Sequence, residues 1–210
     1  MIVLAPTILK GQIMPIENWF PTPIYFDMVE NIETIQREFF DLIESSSFDK
    51  HEGWDMHTHR LNDTSFKNSY IDKVPAFEEE LKKHVYKYMH DVESPFESIE
   101  DYVVTSSWLT LTQPGQYAHN HSHGSADISG VYYVNTNTED GSIFFNSPNN
   151  VLTHSYAYSG LVHTCSYRPQ VGKLILFPGW LEHGVQVNNT DSNRISFSFN
   201  ICFDRKYNLA

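Results

Sequence analysis

Three histidines, His119, His121 and His123, stand at every second position of the stretch QYAHNHSHGSADISGVYYV (residues 116–134), with Asp127 just beyond them. Alternate residues of an extended chain point to the same side, so these imidazoles can converge, and imidazole ligates several first-row metals. The bland alternative is a polar loop leading into the strand ISGVYYV. Two later features weigh against it. His183 follows the apolar run KLILFP and a turn at Gly179, placing it at the start of a further strand. Arg194 then opens RISFSFNICF, in which Arg194, Ser196, Ser198 and Asn200 share one face and Ile195, Phe197, Phe199 and Ile201 the other. The apolar face has to be covered. The arginine is thereby aimed inward, where it is either paired with an acid or reserved for an anionic ligand. Each residue alone is unremarkable chemistry; together they describe a metal site beside an anion site.

The elements that must position these residues fall into two groups. Residues 19–27, WFPTPIYFD, read as a short edge strand interrupted by two prolines. Ile32, Ile35, Phe39, Leu42 and Ile43 recur at helical spacing. Residues 48–71 are polar and turn-rich, with no element assigned. A longer helix over about 73–92 carries Val74, Phe77, Leu81, Val85, Tyr88, Met89 and Val92 on one stripe. From about residue 101 the texture becomes strands: YVVTSSWLTLTQ, ISGVYYV, GSIFFNS, KLILFP and RISFSFNICF, separated by TQPGQ, TNTEDG and SPNN. Helices followed by a run of strands predict an α+β domain, with the two helices covering the apolar face of the last strand.

The 210 residues suffice for one sizeable core. A formal net charge of −12 argues against nucleic acid and against anionic membrane surfaces as partners. Cys165 and Cys202 stand far apart with no C-x-x-C pair, which predicts ordinary buried thiols rather than a disulfide scaffold or thiolate zinc site. No apolar run approaches the roughly 20 residues that span a bilayer. The apolar start MIVLAPTILK lacks the basic head of a signal peptide. A cytoplasmic protein is expected, with Met14 as an alternative start.

The order of an upstream His-x-His, a distal His183, then Arg194 and Ser196 suits the double-stranded β-helix dioxygenases that use Fe(II) and 2-oxoglutarate. A facial triad leaves iron positions open for ligands. An arginine offers a bidentate match to the far carboxylate, and a serine two residues on can donate to the same group. The stretches WFPTPIYF, PGQYAHNHSHG, ISGVYYV, GSIFF, LILFPGWLEHGV and RISFSFN resemble a family of 2-oxoglutarate/Fe(II) oxygenases found in marine bacteria and cyanophages, within the prolyl-hydroxylase-like superfamily. That resemblance implies a double-stranded β-helix (jelly-roll) core over 101–205, helical support over 28–100 and an N-terminal extension over 1–18, in one domain over 1–210. It implies Fe(II) and 2-oxoglutarate as cofactors, and O₂ plus a small-molecule or peptidyl substrate as reaction partners. A homodimer is the option held for assembly.

The common triad of that superfamily has a carboxylate two residues after its first histidine. Here those positions hold His121, His123 and Ser125. Aligning on SGVYY, the resemblance favours His121, His123 and His183 as ligands. Asp127 is the rival second ligand, and His119 with His121 a third solution. The residues also leave room for a cupin-like metal dioxygenase that does not use 2-oxoglutarate, and for a non-enzymatic viral β-sandwich module that binds no metal. His57 and His59 form another alternating pair but lack a distal partner. His154 and His163 flank a long hairpin that could reach over the barrel mouth. Trp108, Tyr117 and Tyr133 are expected in the core or lining a pocket.

Overall fold

The computed structural model describes residues 21–44, 47–52, 56–62, 70–94, 102–149, 157 and 163–203, and the side chains at 51–52 and 56–62 lie outside that description. Eleven strands and two α-helices are present among the described residues. In chain order they are β1 (Tyr25–Met28), α1 (Ile32–Glu44), β2 (Ser47–Glu52), β3 (Met56–Asn62), α2 (Pro75–Asp91), β4 (Tyr102–Thr112), β5 (Tyr117–His121) and β6 (Ile128–Asn135). The remainder are β7 (Ile143–Asn146), β8 (Thr164–Tyr167), β9 (Lys173–Pro178), β10 (His183–Val185) and β11 (Arg194–Phe203). The strands run in the order β1-β9-β6-β11-β4-β3-β5-β10-β7-β8, with β2 paired to β3. All of these pairings are antiparallel. This is a jelly roll: one layer of β1, β9, β6, β11 and β4, and an opposed layer of β5, β10, β7 and β8, with β3 linking them.

Strand β11 is the central rail, pairing along nearly its whole length with β4 on one side and β6 on the other. Its two faces have different fates. Phe197, Phe199, Ile201 and Phe203 join the larger core with Ile35, Phe39 and Leu42 of α1 and Phe77, Leu81 and Val85 of α2. The Phe39 and Phe77 rings stand 5.0 and 5.4 Å from that of Phe197. Between the layers lies a smaller cluster: Val131 and Tyr133 of β6, Ile175 and Phe177 of β9, Ile143 and Phe145 of β7, and Leu181. Strand β6 contributes to both, which explains why its side chains are buried from Ile128 to Val134. Such a strand, buried on both faces, reads as a continuous apolar run.

The helices form where the 3.6-residue stripe predicts. Helix α2 begins with Pro75, a favourable first position because proline has no N–H to leave unsatisfied. Val74 provides no side-chain cap. Instead Glu38 of α1 accepts the Ala76 N–H at 3.0 Å, placing a carboxylate on the positive end of α2. Gln36 donates to the Val134 carbonyl at 3.1 Å, which ties α1 down on the sheet.

Two sequence expectations change. The polar segment 48–71 contains the β2–β3 hairpin, whose β3 bridges β4 and β5. Its strand character comes from backbone pairing to flanking strands, so no apolar alternation announces it. The cysteines are free, and half-buried rather than buried; Cys202 Sγ meets the Ser125 carbonyl at 3.3 Å. No helix among the described residues is long and apolar enough to cross a membrane.

Phe77 touches the rings of Phe39, Tyr132, Phe197 and Phe199 and is fully buried. Phe77→Ala should therefore cost about 3–5 kcal/mol, read as a lowered urea midpoint at unchanged denaturant slope.

Candidate functional site

Strands β5 and β10 are neighbours, and their register sets His183 directly opposite His121. His123 lies two residues past the end of β5, where the turn after β9 catches it: the His123 N–H donates to the Gly179 carbonyl at 2.7 Å, and the Gly179 N–H donates to the Asp127 carbonyl at 3.2 Å. The outcome is a three-imidazole cluster. Ring centroids are 4.4 Å apart for His121 and His183, 5.1 Å for His121 and His123, and 5.2 Å for His123 and His183. Their ligating nitrogens all lie within 4.8 Å of one another, a grouping that could hold a metal ion.

The tautomers suit that use. His121 Nδ1 donates to the His119 carbonyl and His183 Nδ1 to the Leu181 carbonyl, each at 2.8 Å. A donated Nδ1–H leaves Nε2 as the lone-pair nitrogen, which is how protein carbonyls orient metal-binding imidazoles. His183 is 5% exposed. Burial pushes its pKa down to about 3; His121 and His123 push the same way, against the hydrogen bond to Leu181. At neutral pH His183 is a neutral donor, as a metal ligand must be.

Asp127 takes another part. Its Oδ2 accepts the Phe203 N–H at 2.9 Å and its backbone N–H donates to the Ile201 carbonyl at 2.9 Å. The carboxylate closes the end of β11 and is absent from the histidine cluster. His119 is exposed, with its ring edge-on to Tyr117 at 4.9 Å. The side chains of His57 and His59, and the whole of His154, lie outside the described residues. His163 is placed in a separate cavity beside Phe145, Cys165 and Leu181.

Across the interior from the imidazoles, one cavity is lined by His121, His123, His183, Tyr133, Arg194 and Ser196, with Trp108, Thr110 and Thr112 among its other walls. Arg194 is 3% exposed. One of its terminal nitrogens, Nη1, donates to the carbonyls of Asp140 and Gly141, both at 2.7 Å, and Nη2 donates to Thr112 Oγ1 at 3.0 Å. Its Nε–H is buried without a partner. The nearest acid is Asp140, whose Oδ1 stands 4.0 Å from Nη1. Burial pushes the arginine pKa down while Tyr133 and Asp140 raise it; a guanidinium nevertheless keeps its charge in proteins. A guanidinium has five N–H donors, so Nε and one Nη2 hydrogen remain for a ligand that lines up on the cavity side. A carboxylate fits those two donors, because it accepts two parallel hydrogen bonds from such a fork. Burial holds the Tyr133 phenol at about 12, so it stays protonated beside the arginine.

Sequence reasoning singled out the histidines, Arg194 and Ser196, but not Thr112, Asp140 or Gly141. Thr112 carries no signal within its strand. The TNTEDG turn carries a faint one, a glycine closing a polar loop.

Solved structures of similar fold align over most of this chain. A prolyl-4-hydroxylase from Pseudomonas putida aligns at 11% identity with a TM-score of 0.57, covering 85% of this chain and 92% of that one. HygX from Streptomyces hygroscopicus, solved with nickel and 2-oxoglutarate bound, aligns at 13% identity and a TM-score of 0.57, covering 88% and 84%. AviO1 from Streptomyces viridochromogenes Tue57 gives 12% identity and 0.58, covering 90% and 93%. At such identities the likeness is one of fold. In sequence, residues 106–200, within the jelly-roll core, match the family described as "Putative 2OG-Fe(II) oxygenase". No curated protein matches the chain.

Gly179 tests how the cluster is held. A Cβ there would stand 2.2 Å from the Ala126 carbonyl oxygen, forcing apart the two loops that fix His123. Gly179→Ala should weaken cobalt(II) binding by roughly tenfold or more, measured by calorimetry on protein whose circular dichroism is unchanged.

Proposed function

We propose that this chain is an Fe(II)- and 2-oxoglutarate-dependent dioxygenase in which His121, His123 and His183 hold the iron, while Arg194 and Ser196 receive the far carboxylate of 2-oxoglutarate. The observation that carries this reading is the orphaned Nε–H of Arg194, buried in the same cavity as three imidazoles whose ligating nitrogens cluster. Bound iron supplies the redox chemistry that couples decarboxylation of 2-oxoglutarate to succinate and CO₂ with hydroxylation of a C–H bond. The protein's own contribution is orientation. Carbonyls of His119 and Leu181 aim two Nε2 atoms at one point. The Arg194 fork would set the direction from which a dicarboxylate enters, and Ser196, on the same face of β11 and lining the same cavity, would donate to the same group. The apolar walls Ile143, Val131 and Phe177 limit water around the reacting centre.

The nickel and 2-oxoglutarate in HygX support the cofactor assignment. The likeness to a prolyl-4-hydroxylase makes peptidyl proline one substrate option, on fold analogy alone. We place the reaction in the cytoplasm of a bacterium or virus-infected host cell, with a homodimer as the option for assembly. The segments 48–71 and 149–170, expected to border the substrate entrance, lie partly outside the described residues. A second reading, a cupin-like dioxygenase that uses O₂ without 2-oxoglutarate, is favoured by the three-imidazole cluster and disfavoured by the buried, unpartnered Nε–H of Arg194.

Iron-loaded protein given 2-oxoglutarate should release succinate, and the anaerobic complex should show a metal-to-ligand absorption band. Absence of both would overturn the reading. Arg194→Ala should leave metal binding intact and weaken 2-oxoglutarate binding by roughly a hundredfold, as removal of a buried charged partner does. His123→Ala and His183→Ala should lose stoichiometric iron by elemental analysis while Asp127→Ala keeps it; the reverse result for His123 and Asp127 would make the aspartate the ligand.

A further inference from the structure

The anion site is itself held by a second structure, the turn between β6 and β7. Asp140 is fully buried. Its two carboxylate oxygens accept the Thr136 hydroxyl at 2.8 Å, and Oδ2 also accepts the Asn137 N–H at 3.0 Å. These bonds coil residues 136–140 around one carboxylate, so that the carbonyls of Asp140 and Gly141 both face Arg194 Nη1 at 2.7 Å. Gly141 completes the turn with a φ of +100°, a conformation that suits glycine. A Cβ at that position would lie 2.3 Å from the Gln186 carbonyl oxygen and 3.3 Å from Arg194 Nη1. Gln186 N–H in turn donates to the Ser142 carbonyl at 2.9 Å, pinning the turn to the segment after β10.

The consequence is a division of the guanidinium. Nη1 is consumed by two carbonyls and one Nη2 hydrogen by Thr112, so the plane of the group is fixed from three points. What remains is the Nε–H with the other Nη2 hydrogen. An arginine held less firmly could turn its Nη1–Nη2 edge to a ligand, or withdraw to the Asp140 carboxylate. We propose that the 136–141 turn, through Asp140 and Gly141, is a positioning device that presets Arg194 for a dicarboxylate and so governs affinity for 2-oxoglutarate from outside the cavity. This rests on the function proposed above. Asp140 is a positioning residue here: neither it nor Gly141 lines the cavity.

The test compares wild type with Asp140→Asn, Gly141→Ala and the milder Thr136→Val, which removes one hydroxyl from a half-buried position. Anaerobic, iron-loaded protein is titrated with 2-oxoglutarate and, separately, with pyruvate, which shares the oxo-acid end but lacks the far carboxylate. Succinate release is then measured against 2-oxoglutarate concentration. The expected result is a five- to twentyfold rise in Kd and KM for 2-oxoglutarate on the order set by one impaired charge-assisted hydrogen bond, with pyruvate binding, iron stoichiometry and kcat at saturation within about twofold of wild type. Unchanged 2-oxoglutarate affinity in the folded variants would overturn the proposal, and so would equal losses for both oxo acids. Should Asp140→Asn or Gly141→Ala fail to fold, Thr136→Val decides alone. A wild type that neither binds nor turns over 2-oxoglutarate is a different failure, that of the assigned function.

Discussion

The register of β11 is the constraint on which the site depends. Side chains alternate along a strand, so a slip of one residue would exchange its two faces. Outward, Phe197, Phe199, Ile201 and Phe203 are locked beneath α1 and α2 by aromatic contacts. Inward, Arg194 and Ser196 are thereby delivered to the cavity. Withdrawing a guanidinium to 3% exposure is costly unless its donors find acceptors. No polar interaction inside the barrel could drive that burial by itself. The burial of four apolar residues on the opposite face does, at about 1.5–3 kcal/mol for each. The helices thus act on the site without touching it.

Electrostatics inside the cavity are unbalanced in one direction. Arg194 brings a full positive charge, and Asp140, its acidic neighbour among the described residues, turns its carboxylate oxygens to Thr136 and Asn137. The three imidazoles bring no charge while they are neutral, and they bring no carboxylate either. Asp127, the acid nearest in sequence, is spent on the Phe203 N–H at the other end of β11. A divalent cation on this cluster would leave the cavity strongly positive, which suits a dianionic partner better than a neutral one. A triad with a carboxylate in place of one imidazole would carry one unit less positive charge, and the redox potential of a bound metal would shift with it.

Much of this was legible in the sequence where periodicity is strong. The alternation in RISFSFNICF foretold both faces of β11, and the stripes of α1 and α2 foretold their burial. The β2–β3 hairpin was not legible, because its pairing draws on backbone groups that every residue carries. Strand β5 was hidden for a related reason: YAHNH has the alternation of a strand but almost none of the apolar residues that usually mark one. The support for Arg194 was least visible. Asp140 and Gly141 act through main-chain carbonyls, and a carbonyl is anonymous in sequence.

The two layers of the jelly roll divide the chemistry between them. Arg194 and Ser196 belong to the layer built on β11, whereas His121 and His183 belong to β5 and β10 in the opposed layer. Neither layer holds both halves of the site. Their separation is fixed by the apolar cluster of Val131, Tyr133, Ile143, Phe145, Ile175, Phe177 and Leu181 wedged between them. Phe177 touches both roles, with its ring 4.6 Å from His183 and 4.8 Å from Phe145. A ligand that joined the metal end to the guanidinium end would therefore bridge the layers, and its length would have to match a spacing set by aromatic packing. On the function proposed above, selection among oxo acids of different length would follow from the core, with the polar groups at either end supplying only the points of attachment.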